Sequence, residues 1–409
     1  MTALAQEARS ERWRAAAVWS MTAFAGTLPF SHVPAQLALA IGIVAWIGWS
    51  FSSKTPMVIK DRFFVAAGIY WFWNVLAAVL SIRPMHTLAA FVDNEWPACA
   101  GLLLFWSVRS TDELRRIAVF FFGASGIAMS YGIVQTFTGI EWIKGTALDE
   151  ATGGLFRAVG FSGFPLTFAG FAMAVFFLSV AFALERPSAR IRWILPALSA
   201  IAILGTFARS VWLAMAILVP LFAWLAGTPL WRKRALAAGI VLVMVVAGFE
   251  PLRERALSVF DLGRNQIRIK LWKTSLAIAR DHPLIGIGQD NFTVVFDEYK
   301  VGGFYDTHDH PHNDYLSVLV HGGVPALIAF VAMWWIVLRR AWEVWKRNPG
   351  GTLESWLSLG GGAALGGFLL SAMFQNYYGT FVNCFNWWMI TGIVLSSYHR
   401  LLHSSSSRM

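Results

Sequence analysis

The stretch NDYLSVLVHGGVPALIAFVAMWWIVLRR, residues 313–340, decides the class of fold. Between positions 313 and 338 Asp314 is the one residue among Asp, Glu, Lys and Arg, and the stretch ends on Arg339 and Arg340. A helix that crosses a membrane needs about 20 predominantly apolar residues. The stretch therefore predicts a membrane-spanning helix whose arginine pair lies at the cytoplasmic surface.

The composition of the whole chain agrees with a membrane protein. Of its 409 residues, 57% are hydrophobic, 15% are aromatic and 14% are charged, whereas soluble domains carry about 25% charged residues. The net charge of +10 would suit a nucleic-acid partner, but basic residues also crowd the cytoplasmic loops of membrane proteins. We therefore expect no nucleic-acid partner. Cys99 and Cys384 lie in or beside apolar segments and imply no disulfide framework.

Twelve apolar segments predict an all-α polytopic membrane protein with about 12 transmembrane helices. In chain order they are 15–29, 33–51, 62–82, 86–107, 115–138, 163–185, 191–207, 210–227, 233–249, 313–338, 353–374 and 384–402. The fourth segment is interrupted by DNEWP at residues 93–97. Because a proline cannot continue a regular helix, this interruption predicts a broken span.

The positions of the basic residues predict the orientation. With these segments, 21 of the 33 lysines and arginines fall on one side of the membrane and 12 on the other. The positive-inside rule makes the richer side cytoplasmic, together with both termini. Arg9, Arg12 and Arg14, followed by a short apolar run, also resemble a signal peptide. We expect this first segment to be retained.

The predicted organisation has three parts. Residues 1–249 hold transmembrane helices 1–9, residues 250–312 form a periplasmic loop, and residues 313–409 hold helices 10–12 and a cytoplasmic tail. Within the loop, LGRNQIRIKLWKTSLAIARDHPLIG at residues 262–286 has apolar positions at an approximately helical spacing. It predicts an amphipathic helix lying at the membrane surface and ending before Pro283.

Several arginines on the predicted outer side run against the charge bias. Arg157 precedes an apolar segment, and Arg209 lies between two of them, near membrane depth. Arg264 and Arg268 are four residues apart and would share one helical face. Because each guanidinium can hold two phosphate oxygens, convergent arginines suit a diphosphate. The alternatives are an interfacial position for Arg209 and, for Arg264 and Arg268, contact with water or phospholipid headgroups.

A group of histidines precedes the helix predicted from residue 313. The stretch DTHDHPH, residues 306–312, contains His308, His310 and His312. Pro311 and the approaching helix make convergent metal ligands awkward, so we predict no metal site. Asn313 is a predicted N-cap with Asp314 beside it, which places His312 directly outside the helix N-terminus. A neutral imidazole there can accept a hydroxyl proton, and the helix dipole favours a nearby anion.

Four blocks of the sequence resemble, in this order, the signatures of the O-antigen ligase and polymerase superfamily. They are RAVGFSGFPLTFAGF at 157–171, GTFARSVWLA at 205–214, RIKLWKTSLAIARDHPLIGIGQDNF at 268–292 and HNDYLSVLVHGGVPAL at 312–327. The resemblance implies a GT-C-like membrane fold and a glycosyltransferase of the bacterial inner membrane. Its donor would be an undecaprenyl-diphosphate-linked glycan, used on the periplasmic face without cofactor or metal.

The same resemblance implies roles for the residues singled out above. Arg157, Arg209 and Arg268 would hold the diphosphate, with Arg264 beside them, and His312 would act on the acceptor hydroxyl. Transfer would proceed by direct displacement with inversion. Asn313 and Asp314 would support the histidine.

The acceptor separates the alternatives. A ligase joins the glycan to a lipid A-core sugar, a polymerase to another repeat unit, and a protein oligosaccharyltransferase to Ser or Thr. The compact segment 250–312 and the short tail leave little room for a protein acceptor, which favours the ligase. Membrane phospholipid would be a further partner. A transporter of lipid-linked sugar would show inverted repeats, and the sequence shows no internal repeat.

Overall fold

The structure is a computed structural model that describes residues 3–53, 61–227, 229–258, 261, 263–302 and 310–406. Within these residues the chain forms sixteen α-helices. They are α1 (Ala3–Thr27), α2 (His32–Ser53), α3 (Arg62–Val79), α4 (Pro84–Glu95), α5 (Ala98–Ser107), α6 (Thr111–Thr138), α7 (Pro165–Glu185), α8 (Ile194–Gly205), α9 (Arg209–Ala226), α10 (Pro229–Gly248), α11 (Glu250–Leu257), α12 (Gln266–Asp281), α13 (Phe292–Tyr299), α14 (Asp314–Arg347), α15 (Leu353–Ser371) and α16 (Phe381–Ser406).

Two short antiparallel hairpins interrupt the helices between α6 and α7. The first pairs β1 (Ile140–Glu141) with β2 (Thr146–Ala147), and the second pairs β3 (Glu150–Thr152) with β4 (Leu155–Phe156). The sequence analysis did not predict them, because strands of two or three residues are too short to show an alternating pattern. The mainly helical, polytopic membrane class is confirmed.

Six helices of the described residues are long and apolar enough to cross a membrane: α2, α3, α6, α7, α9 and α14. Each coincides with one of the twelve predicted segments. Helices α10 and α11 would add a seventh span if counted together, although they are bent by 96°. The total of twelve spans stays a prediction.

The break predicted at DNEWP is present. Helix α4 ends at Glu95 and α5 begins at Ala98, with Trp96 and Pro97 between them. Helix α5 then packs closely against α16 because both carry glycine at the contact: a Cβ on Gly392 would come within 2.4 Å of the carbonyl oxygen of Gly101. Small residues of this kind let helix backbones approach in membranes.

The core of the protein lies where α7, α14, α15 and α16 meet. Large aromatic side chains fill it, and Trp334, Trp387 and Trp388 are almost wholly buried. The rings of Trp387 and Phe368 stack with centroids 5.1 Å apart. An aromatic side chain in such a core buries roughly 150–250 Å² of its own surface area. This packing gives the site at the predicted outer end of the helices a rigid base.

Helix α14 contains a break, and this break accounts for two glycine-containing motifs of the sequence, HGGVP at residues 321–325 and DHPLIGIG at residues 281–288. Gly323 has a φ of 71°, and Pro325 has no N–H to offer the carbonyl of His321. The loop after α12 supplies the missing partners. The N–H of Ile287 donates to Val320 O and the N–H of Gly288 to His321 O, both at 2.9 Å. HGGVP and DHPLIGIG therefore form one interlocked unit.

The loop between α10 and α14 contains three helices, α11, α12 and α13, in its described part. The predicted amphipathic helix is present as α12. Its apolar residues Leu271 and Ile278 are fully buried in a small cluster with Phe292, Phe296 and Val320. Helix α12 is therefore held against α14, and this contact helps to fix the position of Arg268, which lies three residues before Leu271 on a neighbouring part of the same helix surface.

Candidate active site

The α8–α9 connection places Arg209 at the predicted outer end of the structure. Helix α8 ends at Gly205, and Phe207 adopts a positive φ of 53°, which is uncommon for a residue other than glycine. The guanidinium of Arg255 in α11 donates to the carbonyl of Phe207 at 3.0 Å. The strained turn is thus held by a charged hydrogen bond, and α9 begins at Arg209.

Arg209 connects the start of α9 with the residues before α12. Its guanidinium donates to the carbonyl of Ser258 at 2.5 Å, to the hydroxyl of Ser258 at 3.2 Å and to the amide oxygen of Asn265 at 3.1 Å. Asn265 directly precedes α12. Arg209 therefore helps to place Arg268, which lies in the first turn of that helix.

Arg157 is brought beside Arg209 by hydrogen bonds of its neighbours. The buried amide of Gln135 accepts from the N–H of Val159 at 3.1 Å and of Gly160 at 2.8 Å. The N–H of Ala158 donates to the carbonyl of Gly205 at 2.9 Å. Because Gly205 ends α8, these bonds bring Arg157 alongside the strained turn.

Arginines at the predicted cytoplasmic ends of the helices are paired with carboxylates. Arg14 lies 2.8 Å from Glu113, and Arg115 and Arg192 each lie 2.6 Å from Glu185. Such pairs offset part of the cost of removing a charge from water. They provide a standard against which the outer arginines can be compared.

Arg268 lacks this compensation. Its side chain is half-buried, and within the described part of the chain its guanidinium forms neither an ion pair nor a hydrogen bond. Burial lowers the pKa of Arg268, and the charges of Arg209 and Arg157 lower it further. A half-buried cation with cations for neighbours is unfavourable unless an anion joins the group.

Arg157 experiences the same environment. Burial lowers the pKa of Arg157; the carboxylate of Asp149 opposes this effect and the charge of Arg209 adds to it. Arg157, Arg209 and Arg268, here called the arginine cluster, therefore lie within electrostatic reach of one another. The cluster has the charge and the donors to bind a group with several anionic oxygens.

The start of α14 is built as predicted. The side chain of Asn313 caps the helix by accepting the N–H of Leu316 at 3.0 Å, and its own amide donates to the carbonyl of Met373 at 3.0 Å. His312 precedes the cap with a positive φ of 52°. Strained backbone of this kind is concentrated at functional sites. The ring of His312 lies edge-on to that of His310, with centroids 4.4 Å apart.

Helix α12 and the start of α14 meet at the end of α15. Trp272, one turn after Arg268, has its ring 6.2 Å from that of Phe374. Phe374 follows Met373, whose carbonyl accepts from Asn313. The structure therefore brings the arginine cluster and His312 to the same end of the structure. The side chain of Arg264 and all of His308 lie outside the described residues.

The sequence analysis missed Tyr377, a fully buried residue between α15 and α16. Its hydroxyl lies 3.5 Å from that of Ser210, next to Arg209. Burial raises the pKa of Tyr377 to about 12, while Ser210 and the charge of Arg268 lower it. The phenol therefore stays neutral beside the cluster. Two adjacent tyrosines at 377 and 378, in a loop on the predicted outer side, were the available signal.

The structure does not assemble a metal site from the residues that it describes, since no group of three or more His, Cys, Asp or Glu is arranged to hold an ion. We predict that His308→Ala and His310→Ala keep most of the wild-type transfer rate and that EDTA changes it little. The measurement is transfer in the presence and absence of EDTA. Loss of activity in EDTA, restored by a divalent cation, would show that the histidines bind a metal.

The fold and the site define a multi-pass helical membrane protein with a half-buried basic cluster beside a capped helix N-terminus. A family model described as O-Antigen ligase matches residues 194–331. The resemblance to this family seen in the sequence is thereby confirmed for the matched part of the chain, which is similar to the O-antigen ligase family model. The match spans α8 to the middle of α14 and includes Arg209, Arg268 and His312. No curated protein gives a significant match.

Proposed function

We propose that the protein is an O-antigen ligase that acts in lipopolysaccharide biosynthesis. It would transfer a glycan from undecaprenyl diphosphate to a sugar hydroxyl of the lipid A-core. The family match supports a ligase or polymerase type of function with a lipid-linked glycan and a lipid acceptor. The observation that carries the proposal is the arginine cluster, in which Arg268 has no partner within the described residues.

The chemistry follows from the two parts of the site, which are His312 and the arginine cluster. The acceptor oxygen attacks the anomeric carbon opposite the diphosphate, and the new C–O bond forms as the bond to the diphosphate breaks. Configuration at that carbon is inverted. The hydroxyl proton passes to His312, and the arginine cluster stabilises the charge on the departing diphosphate. Neither the proton transfer to His312 nor the stabilisation of the diphosphate by the arginine cluster requires a metal ion or a nucleotide.

The individual residues have distinct parts in this proposal. Arg157 and Arg268 would contact the diphosphate oxygens. Arg209 would add positive charge while it holds the residues before α12, and Arg264 would extend the same basic surface. Asn313 and Asp314 would keep His312 at the helix N-terminus, whose dipole also favours the anionic donor.

The proposed cellular setting is the bacterial inner membrane. The chain would cross it twelve times in a GT-C-like arrangement, with both termini in the cytoplasm and the site facing the periplasm. The bias of basic residues supports this orientation. Lipid-linked donor and phospholipid would reach the site from the outer leaflet.

Labelling with a membrane-impermeant maleimide tests the orientation in a cysteine-free background. Lys273→Cys on α12 and Arg234→Cys on α10 replace two exposed basic residues. We expect Lys273→Cys to react in intact spheroplasts and Arg234→Cys only after permeabilisation. The opposite pattern would invert the proposed topology and would place the arginine cluster on the cytoplasmic side.

Reconstitution tests the reaction. The purified protein is given an undecaprenyl-diphosphate glycan, a chelator and one of three acceptors: lipid A-core, a second lipid-linked repeat unit, or a Ser/Thr peptide. We expect transfer to lipid A-core. Transfer to the repeat unit or the peptide instead would identify a polymerase or a protein glycosyltransferase. Movement of the glycan lipid across the bilayer without transfer would identify a transporter.

A further inference from the structure

Glu95 is a buried carboxylate that the proposed chemistry does not use. It ends α4 at the DNEWP break and is only 6% exposed. Three uncharged donors surround it within the described residues: the hydroxyl of Tyr70 at 3.1 Å, the indole N–H of Trp71 at 2.9 Å and the hydroxyl of Tyr378 at 2.9 Å. An ionisable group among membrane helices is costly and is a functional hypothesis by default.

Tyr378 connects this carboxylate to the candidate active site. Its hydroxyl donates to Glu95 and accepts the indole N–H of Trp388 at 3.3 Å. Its backbone N–H donates to a carboxylate oxygen of Asp314 at 3.0 Å, and the N–H of Tyr377 donates to the same oxygen at 3.0 Å. One residue is thus held by two carboxylates, Glu95 through its side chain and Asp314 through its backbone.

Asp314 is the first residue of α14 and lies two positions after His312. Its own N–H donates to the carbonyl of Ala372 at 2.9 Å, next to the end of α15. The N-terminus of α14 is therefore fixed between the end of α15 and the turn at residues 377–378. The arginine cluster is positioned by other elements, chiefly α6, α8 and α11.

We propose that Glu95 is a positioning residue. Through Tyr378 it holds the turn at residues 377–378, and thereby keeps the N-terminus of α14, with His312, in place for transfer. This inference rests on the proposed function. The inference also explains the break in the fourth predicted span. Because α4 ends at Glu95, the carboxylate can reach Tyr378, and the chain continues as α5.

Two tyrosines on the same carboxylate provide a matched pair of variants. Tyr378→Phe removes the hydrogen bond from the residue whose backbone contacts Asp314, whereas Tyr70→Phe removes one from α3 to the other carboxylate oxygen. The ring of Tyr378 packs against Phe330 and Trp387, with centroids 5.3 and 5.5 Å away, and phenylalanine keeps this packing. The two substitutions therefore differ mainly in whether the lost bond leads to α14.

We expect Tyr378→Phe to lower kcat for transfer about tenfold, the effect typical of one hydrogen bond to a charged group, with the KM for the donor unchanged. Glu95→Gln should lose less than Tyr378→Phe, because its amide N–H₂ can donate to the hydroxyl of Tyr70 while its amide oxygen still accepts from Trp71 and Tyr378. The double variant should show little further loss. Tyr70→Phe should keep the wild-type kcat. Equal losses of kcat in Tyr378→Phe and Tyr70→Phe would reduce Glu95 to a stabilising residue and overturn the inference.

Hydrogen exchange gives a readout that needs no acceptor. The backbone amides at positions 377 and 378 should exchange faster in Tyr378→Phe than in wild type, and at the wild-type rate in Tyr70→Phe. Unchanged exchange in Tyr378→Phe, or faster exchange with an unchanged kcat, would overturn the positioning role and leave the proposed function standing. Absence of transfer by the wild type to every acceptor would overturn the proposed function itself.

Discussion

Arg268→Ala is expected to lower glycan transfer at least about a hundredfold while the protein stays folded in the membrane. The guanidinium is half-buried and has no hydrogen-bond or ion-pair partner among the described residues, so its removal breaks no hydrogen bond or ion pair there. What is lost is a two-pronged donor to the departing diphosphate. The measurements are the transfer rate in the reconstituted system and binding of undecaprenyl diphosphate, which should weaken in parallel.

Arg268→Lys and Arg280→Ala make this prediction specific. Lysine keeps the charge but cannot reproduce the planar fork, so we expect it to rescue transfer poorly. Arg280 lies in the last turn of the same helix, is exposed, and is the control for loss of positive charge. The Arg280→Ala variant should transfer the glycan at nearly the wild-type rate. Wild-type activity in Arg268→Ala would make Arg268 a contact for lipid headgroups or solvent.

His312→Ala is expected to lose at least about a hundredfold in transfer rate while it still binds the lipid-linked donor. Help from a general base is worth about 10²–10⁴-fold. The arginine cluster is positioned independently of His312, so the affinity for undecaprenyl diphosphate should remain. Measuring rate and binding on the same preparation separates the two effects.

Two further histidine variants sharpen the second prediction. His312→Gln can still orient a hydroxyl but cannot take its proton at neutral pH. Activity above that of His312→Ala would show that orientation contributes. His310→Ala is the neighbouring control, since its ring contacts that of His312 but does not precede the helix cap. A wild-type rate in His312→Ala at saturating donor and acceptor would refute the catalytic role.

Much of the candidate site could be predicted from basic residues that occur where the overall distribution of charge leads one to expect few of them. Arg157, Arg209 and Arg268 stand out because they fall on the predicted outer side, which the positive-inside rule leaves poorer in basic residues. The cap at Asn313 was predictable because its bond to the N–H of Leu316 spans only three residues. Both signals are local or compositional, and neither requires knowledge of the fold.

Glu95 and Tyr377 could not be assigned in this way. Glu95 belongs to a motif that signals only a helix break, and a tyrosine in an outer loop is ordinary. Their partners lie far along the chain: the bond from Tyr378 to Glu95 joins residues 283 positions apart. No periodic pattern or spacing rule encodes such a contact, because it depends on how complete helices pack against one another.

The three arginines likewise differ in ways that their sequence context does not show. Arg209 donates to Ser258 and Asn265, whereas Arg268 has no partner in the described part of the chain. From sequence the two were given the same role, as basic residues of the predicted outer side that would hold the diphosphate. Only the long-range hydrogen bonds of Arg209 to residues beside α11 and α12 distinguish it, as a residue that orders the site, from Arg268, which is left to bind a ligand.

The sequence by itself determined the membrane class, six of the spanning helices, the break after Glu95 and the cap of α14. Each follows from apolar length, proline or a contact within one helical turn. Tertiary structure alone decided that the α12–α13 loop completes the broken α14, that the arginine cluster converges, and that Glu95 reaches the turn before α16. These contacts form between segments that are far apart in the sequence. Each segment has backbone groups or charges without a partner of its own, and a distant segment supplies that partner.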